Sequence, residues 1–379
     1  MDWWDFLLVV IRVVGVFVFL LTTVVFLVWI ERKVIADMQN RLGPMRAGPH
    51  GVLQTVADGL KLFFKEQITP AKSEFLIYML APALSVVTAF LMFLVVPFAR
   101  PIEFALGGEL RTFTFQAMDL NVGVLYVLAI SSIAVYAIVL AGWSSGSKYP
   151  LLGGVRATAQ AISYEAAMGL SLVALIMFIA VQNRGANVMS MAAIVDFQAG
   201  TYGATEGIFS FLNPIITRVP KWFILPQVIP FIIFAIAGVA ETNRAPFDLV
   251  EAEQELVAGF HTEYSGMRFA MFFLAEYVNM FTMSALMVTL FFGGWGGPFL
   301  DSIALNVGPW VATLVSFGYF MAKVFVFIFM YIWIRASLPR LRYDQLMELG
   351  WKRLIPGALL WLVASSLALA IRQFGLPWT

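Results

Sequence analysis

Eight stretches of about 20 or more predominantly apolar residues run through this chain, near 6–30, 74–98, 120–142, 157–181, 222–241, 268–293, 307–334 and 351–371. Each is long enough to cross the ~30 Å hydrocarbon core of a bilayer. In that core the backbone must satisfy its own hydrogen bonds, which a helix does within one segment. The expected fold is therefore all-α: a polytopic membrane protein with about eight transmembrane helices, forming one integral membrane domain over residues 1–379.

Composition supports the same class. Apolar residues make up 61% of the chain and charged residues 12%, with a mean hydropathy of +0.85. The net charge of +1 carries no nucleic-acid signature. Cysteine is absent, so the chain itself offers no thiolates for a disulfide, a zinc site or an iron–sulfur cluster. The two histidines, His50 and His261, both lie between spans, which argues against a bis-histidine haem in the bundle. No Gly-rich nucleotide fingerprint follows a strand. Electron carriers, if redox chemistry occurs here, belong to another subunit. The acidic start (Asp2, Asp5) lacks the basic n-region of a signal peptide, so the first apolar segment is read as a retained helix.

Lysine and arginine set the orientation. The segments after the first, third, fifth and seventh spans hold sixteen of the 24 basic residues, and the opposite face holds six. The positive-inside rule puts both termini outside. Residues 31–72 and 241–268 then form the two long cytoplasmic loops. The outer segment 182–221 is poor in charge and is expected to cover the outer face or pack on a neighbour. Within the first inner loop, residues 52–65 are amphipathic: Val52, Leu53, Val56, Leu60, Phe63 and Phe64 share one helical face, Gln54, Asp58, Lys61 and Lys65 the other, and Leu62 is a misfit. This segment is too short and too polar to span, so an interfacial helix is expected.

The second inner loop is unusual. It carries Glu241, Asp248, Glu251, Glu253, Glu255 and Glu263 against only Arg244 and Arg268. Carboxylates crowded beside a bilayer repel one another, and their titrations should rise and couple. Ionisable groups also lie within spans. Glu165 sits about 13 Å in from Arg156 and Glu276 about 12 Å in from Arg268, at 1.5 Å per helical residue. Lys323 is near the middle of its span. Such groups are costly in a bilayer, so they mark either static ion pairs or a proton path. Two glutamates, a lysine and an adjoining acidic loop favour the path. Arg12, near the outer end of its span, is expected to snorkel; His50 and His261 read first as loop histidines, with titration of His261 beside Glu263 as the second reading.

Five strings carry a resemblance: ERKVIADMQNRLGPMRAGPHGVLQTVADGLKLFFKE (31–66), SKYPLLGGVRATAQAISYE (147–165), AETNRAPFDLVEAEQELVAGFHTEYSG (240–266), FFLAEYVN (272–279) and RYDQLMELGWK (342–352). Together they resemble a membrane subunit of the bacterial proton-translocating NADH:quinone oxidoreductase, complex I, the one that is the counterpart of mitochondrial NADH dehydrogenase subunit 1. The resemblance implies a membrane subunit without a redox centre of its own. It implies iron–sulfur subunits of a peripheral arm and small and antiporter-like membrane subunits as partners, with a quinone as substrate at their interface. It implies a quinone chamber and entrance at Arg32, Arg41, Asp58, Lys61, Lys65, Arg244 and Asp248. A proton relay is implied at Glu165, Glu241, Glu251, Glu253, Glu255, Glu263 and Glu276, and the expected location is the cytoplasmic membrane of a bacterium. A homologous subunit of a membrane-bound hydrogenase or of a ferredoxin-fed quinone reductase is the alternative. A stand-alone transporter would show an internal repeat with paired broken helices, and none is visible.

Overall fold

The computed structural model describes residues 3–106, 109–182, 187–200, 220–248, 257–297 and 300–374. The chain is an all-α polytopic membrane protein. Helix α1 (Trp3–Met38) leads into α2 (Gln54–Phe64) and α3 (Phe75–Phe93). A hairpin of β1 (Ile102–Leu106) and β2 (Glu109–Phe113) follows, antiparallel, with Ile102 opposite Phe113. Then come α4 (Gly123–Ser144), α5 (Lys148–Gln182), the short α6 (Met191–Phe197), α7 (Val228–Glu241) and α8 (Gly266–Phe291). The last elements are α9 (Leu300–Asn306), α10 (Pro309–Ser337), α11 (Tyr343–Glu348), a π turn (Leu349–Leu354) and α12 (Ile355–Phe374). Pro356 cannot donate to the carbonyl four residues back, and the helix widens into the π turn just before it.

Among the described residues, seven helical segments are long and apolar enough to cross a membrane, the last running Tyr343–Ile371. The crossing expected at 222–241 differs. Its helix, α7, has 14 residues and spans about 21 Å at 1.5 Å per residue, short of the ~30 Å core. Pro226 explains the late start, since a proline disfavours helical backbone in the residue before it, whereas Pro230 falls in the first turn of α7, where its missing N–H loses no intrahelical bond. Asn243, at φ 52°, ends the run in a left-handed conformation. Non-helical backbone at both ends of α7 is tolerated because protein surrounds it: before it, Ile224 N donates to Phe291 O at 3.1 Å and Gln227 Oε1 accepts from Trp361 Nε1 at 3.0 Å, and at its far end Ala240 O accepts from Gln160 Nε2 at 2.7 Å.

Helix α8 is the axis of the bundle. Every residue from Met280 to Phe291 is buried, as suits a helix apolar on all sides. It packs against α1, α3, α7 and α10, and α5 packs against α4, α7 and α12. Two glycines permit close approaches of α5 to its neighbours. A Cβ at Gly142 would lie 2.6 Å from Pro150 O, and one at Gly153 would lie 2.7 Å from Gly259 Cα in the loop before α8. The interfacial helix is present but begins at Gln54 and ends at Phe64. None of its residues is buried, and Leu53, Leu60, Phe63 and Phe64 are exposed, as a helix lying on a bilayer requires. Of the outer segment, the described part packs on the bundle: Gln198 Nε2 donates to Thr289 O at 2.9 Å, and its Oε1 accepts from Gly293 N at 2.9 Å, covering the end of α8.

Candidate functional site: a chamber, an apolar slot and a carboxylate row

Three cavities meet on the basic side of the bundle. The first, of about 820 Å³, is lined by Glu31, Arg32, Arg41, Tyr277 and Arg335 among others. The second is an apolar slot of about 750 Å³ between α1, α2 and α8, lined by Val24, Val28, Val56, Leu60, Phe63 and Leu274. Chamber and slot share Arg32, Phe273 and Tyr277 as wall residues. The amphipathic pattern explains the slot: α2 turns apolar side chains toward α1 and α8 and keeps Asp58 and Lys61 at the rim. Leu62, the misfit in that pattern, lines the slot as well. The third cavity is a crevice of about 80 Å³ holding Glu241, Asn243, His261, Glu276 and Asn279, with Phe273 again in its wall.

Between chamber and crevice lies a cluster of buried charge. Arg244 Nε meets Glu276 Oε1 at 2.7 Å, and its Nη1 meets Glu31 Oε1 at 3.1 Å. Its guanidinium also lies 4.4 Å from the centre of the Tyr277 ring. Arg335, in the last turns of α10, makes a further ion pair with Glu31. Burial works against the Arg244 charge, but Glu276 and then Glu31 more than offset it, so its pKa is raised and the guanidinium stays charged. Two acids and two bases thus tie α1, α8, α10 and the loop after α7 into one unit.

Beyond the crevice, Glu165 on α5 accepts from Ser131 Oγ at 3.2 Å and from Ser132 on α4. Ser131 also serves Glu241, whose Oε2 is enclosed without a hydrogen-bond partner. Glu165, Ser131 and Glu241 therefore form one polar step inside the bundle, on the path from Glu276 toward the α4–α5 side.

The remaining expected residues separate. Arg32 pairs with Asp58 at 2.5 Å, and Gln54 Nε2 donates to the same carboxylate at 3.0 Å, which pins α2 to α1. Arg41 lines the chamber and donates to Gln39 Oε1 at 2.7 Å. Lys61 lines the slot, and Lys65, just past α2, is exposed and lines none of these cavities. Asp248 is buried and pairs with Arg340 at 3.0 Å, away from the chamber wall. Glu263 is half-buried, its carbonyl accepting from Tyr78 Oη at 2.7 Å, and it lines no cavity described above. Glu251, Glu253 and Glu255 lie outside the described residues.

Two expectations change. Lys323 does not face the carboxylates: its Nζ donates to Phe292 O at 2.8 Å, Gly294 O at 3.0 Å and Gly296 O at 2.5 Å, and so caps the carboxyl end of α8. His261 is no titrating loop histidine. It is buried among Phe260, Phe269 and Phe273, and burial, partly opposed by Asp248, pushes its pKa down to about 4. It is neutral at physiological pH. Conversely, sequence reasoning missed Glu31, Tyr277 and Arg335 as site residues. Glu31 was legible as an acid at the end of an apolar run. Arg335 reads locally as an ordinary base closing a helix, and nothing near it in sequence announces a partner 304 residues away.

A family model described as NADH dehydrogenase matches residues 11–366, most of the chain.

Proposed function

The chain belongs to the NADH dehydrogenase family, that of complex I subunit 1, and on that basis we propose that it forms the quinone-access chamber of the complex and passes protons along buried carboxylates. Membership places it in a multi-subunit oxidoreductase complex. In the proposed assembly, iron–sulfur subunits of the peripheral arm close the chamber from the basic side, and small and antiporter-like membrane subunits receive the protons. The bacterial cytoplasmic membrane is the proposed location.

One observation carries the reading: an apolar slot opens into a polar, arginine-lined chamber through three shared residues, and a buried ion cluster separates that chamber from a carboxylate crevice. A quinone has an apolar tail and a head with two carbonyl oxygens. The slot matches the tail, and Arg32, Arg41 and Arg335 are donors for the head. Reduction delivers two electrons from a cluster on a neighbouring subunit and needs two protons. Negative charge arising on the head draws on the exposed edge of the arginine set, and Arg335 is the member already shared with Glu31. As Arg335 turns toward the head, Glu31 loses part of its compensation and leans more on Arg244, which in turn loosens from Glu276. Glu276 then exchanges a proton across the crevice with Glu241, and Ser131 links Glu241 to Glu165. Tyr277, touching slot, chamber and Arg244, senses head-group position directly.

The test uses Glu165→Gln and Glu276→Gln in the assembled complex. Each is expected to lower proton pumping per quinone reduced, while reduction of a hydrophilic acceptor by the peripheral arm is unchanged. Normal pumping in both variants would remove these residues from the relay. Co-purification of iron–sulfur and flavin subunits with inhibitor-sensitive NADH:quinone activity fixes the electron donor, and hydrogenase-type partners would overturn it.

A further inference from the structure

A fourth cavity lies on the other side of the bundle, where α1 and α10 meet the β hairpin. It measures about 440 Å³ and is lined by Gly15, Phe19, Phe98, Phe113, Trp310 and Phe317 together with other apolar residues. Arg12 is the single ionisable group in its wall. We propose that this groove binds one phospholipid, with an acyl chain in the groove and the phosphate on Arg12.

The arrangement is that of an amphiphile. Arg12 and Phe19 are seven residues apart on α1, so the groove runs about 10 Å along the helix axis. Its inner end is closed by aromatic rings: Phe19 lies 5.3 Å from Phe98 and 5.9 Å from Phe317 between centroids. Its outer end is held open by the hairpin, which Arg12 fastens through Nη2 to Thr112 O at 2.9 Å and through its guanidinium over Phe113. Gly15 lies between the two ends, and a Cβ there would meet no atom within 4 Å, so the wall is open at that point.

Charge selects the occupant. An acyl chain gains no hydrophobic free energy by leaving lipid for an apolar groove, so shape and the head group must decide. Arg12 Nε is enclosed and has no hydrogen-bond acceptor among the described residues. An arginine inside a span is costly without an anionic or strongly accepting partner. One acid, Asp5, acts on the Arg12 charge, and it is shared with Arg111 of the hairpin. A phosphodiester supplies the acceptor oxygens that a guanidinium fork matches best, and Arg12, near the outer end of its span, can reach toward the phosphate layer by snorkelling. The neutral carbonyls of a quinone or the backbone of a neighbouring helix offer weaker acceptors there.

The test places the assembled complex in phosphatidylethanolamine liposomes doped with the same lipid bearing a mid-chain diazirine. After photolysis and digestion, residues 11–19 and 310–317 are expected to be labelled well above the lipid-facing residues 355–371. Gly15→Phe fills the groove and should abolish the excess label. Arg12→Gln should reduce it about tenfold, the loss of one charge-assisted contact. Because Arg12 also holds the hairpin, Gly15→Phe is the decisive variant, and hydrophilic-acceptor activity checks assembly in both. Label no higher than at 355–371, or excess label that survives Gly15→Phe, overturns the proposal. So does a co-purifying quinone or a neighbouring subunit's helix found in the groove.

Discussion

Replacing Arg244 by methionine tests the buried cluster most directly. Methionine keeps much of the apolar stem and removes the charge. Glu31 retains Arg335, whereas the 2.7 Å contact to Glu276 and the stacking on Tyr277 are lost outright. Removing one partner of a buried pair costs about 3–5 kcal/mol, because the other charge stays behind. If the cluster fixes the wall between chamber and crevice, the lower figure corresponds to roughly a hundredfold loss in quinone kcat/KM. The rate with a hydrophilic acceptor normalises for assembly. The second substitution is the sharper test. Adding Glu276→Gln to Arg244→Met removes the stranded charge and should recover about tenfold of quinone kcat/KM, a coupling of roughly 1–3 kcal/mol. Proton pumping should not return with it, since Glu276 is gone. Independent, additive losses in the double variant would refute the claim that these two side chains act as a pair.

Three further outcomes are expected. Gly59→Phe, where a Cβ has open space beside the slot, should raise KM about tenfold for a long-tailed quinone and leave a short-tailed analogue unaffected. The fold holds His261 neutral, so the unfolded chain binds a proton that the folded one refuses: stability is intact above pH 6.5 and falls by up to about 3 kcal/mol as pH drops toward 4. His261→Phe should flatten the loss of activity after incubation across that window, and an unchanged acid profile would show that another group governs it. Gly153→Ala, which drives a methyl into the backbone at Gly259, should destabilise the loop before α8 by about 1–3 kcal/mol and lower the yield of assembled complex, measured against Gly169→Ala, where a Cβ meets nothing within 4 Å.

Hydropathy and helical period were readable from the residues alone. Seven of the eight expected crossings, the interfacial helix, and the placement of Glu165 and Glu276 within long helices follow from local runs of side chains, because a bilayer imposes length and a helix imposes period. Local pattern also told apart the loop that carries Arg244. Whatever depends on which helices touch came only from the packed chain. Lys323 has the depth of a relay group, yet it caps α8, because α10 passes the three free carbonyls at that end. Glu31 and Arg335 close the cluster only because α1 and α10 converge on Arg244. The hairpin at 102–113 and the shortened α7 also escaped the hydropathy pattern, the first because five-residue strands carry little periodic signal, the second because apolar residues around prolines read as a span whatever their backbone does. An ion pair bridging 304 residues has no local signature. Its partners are selected by packing, where a buried charge is stable only beside its opposite.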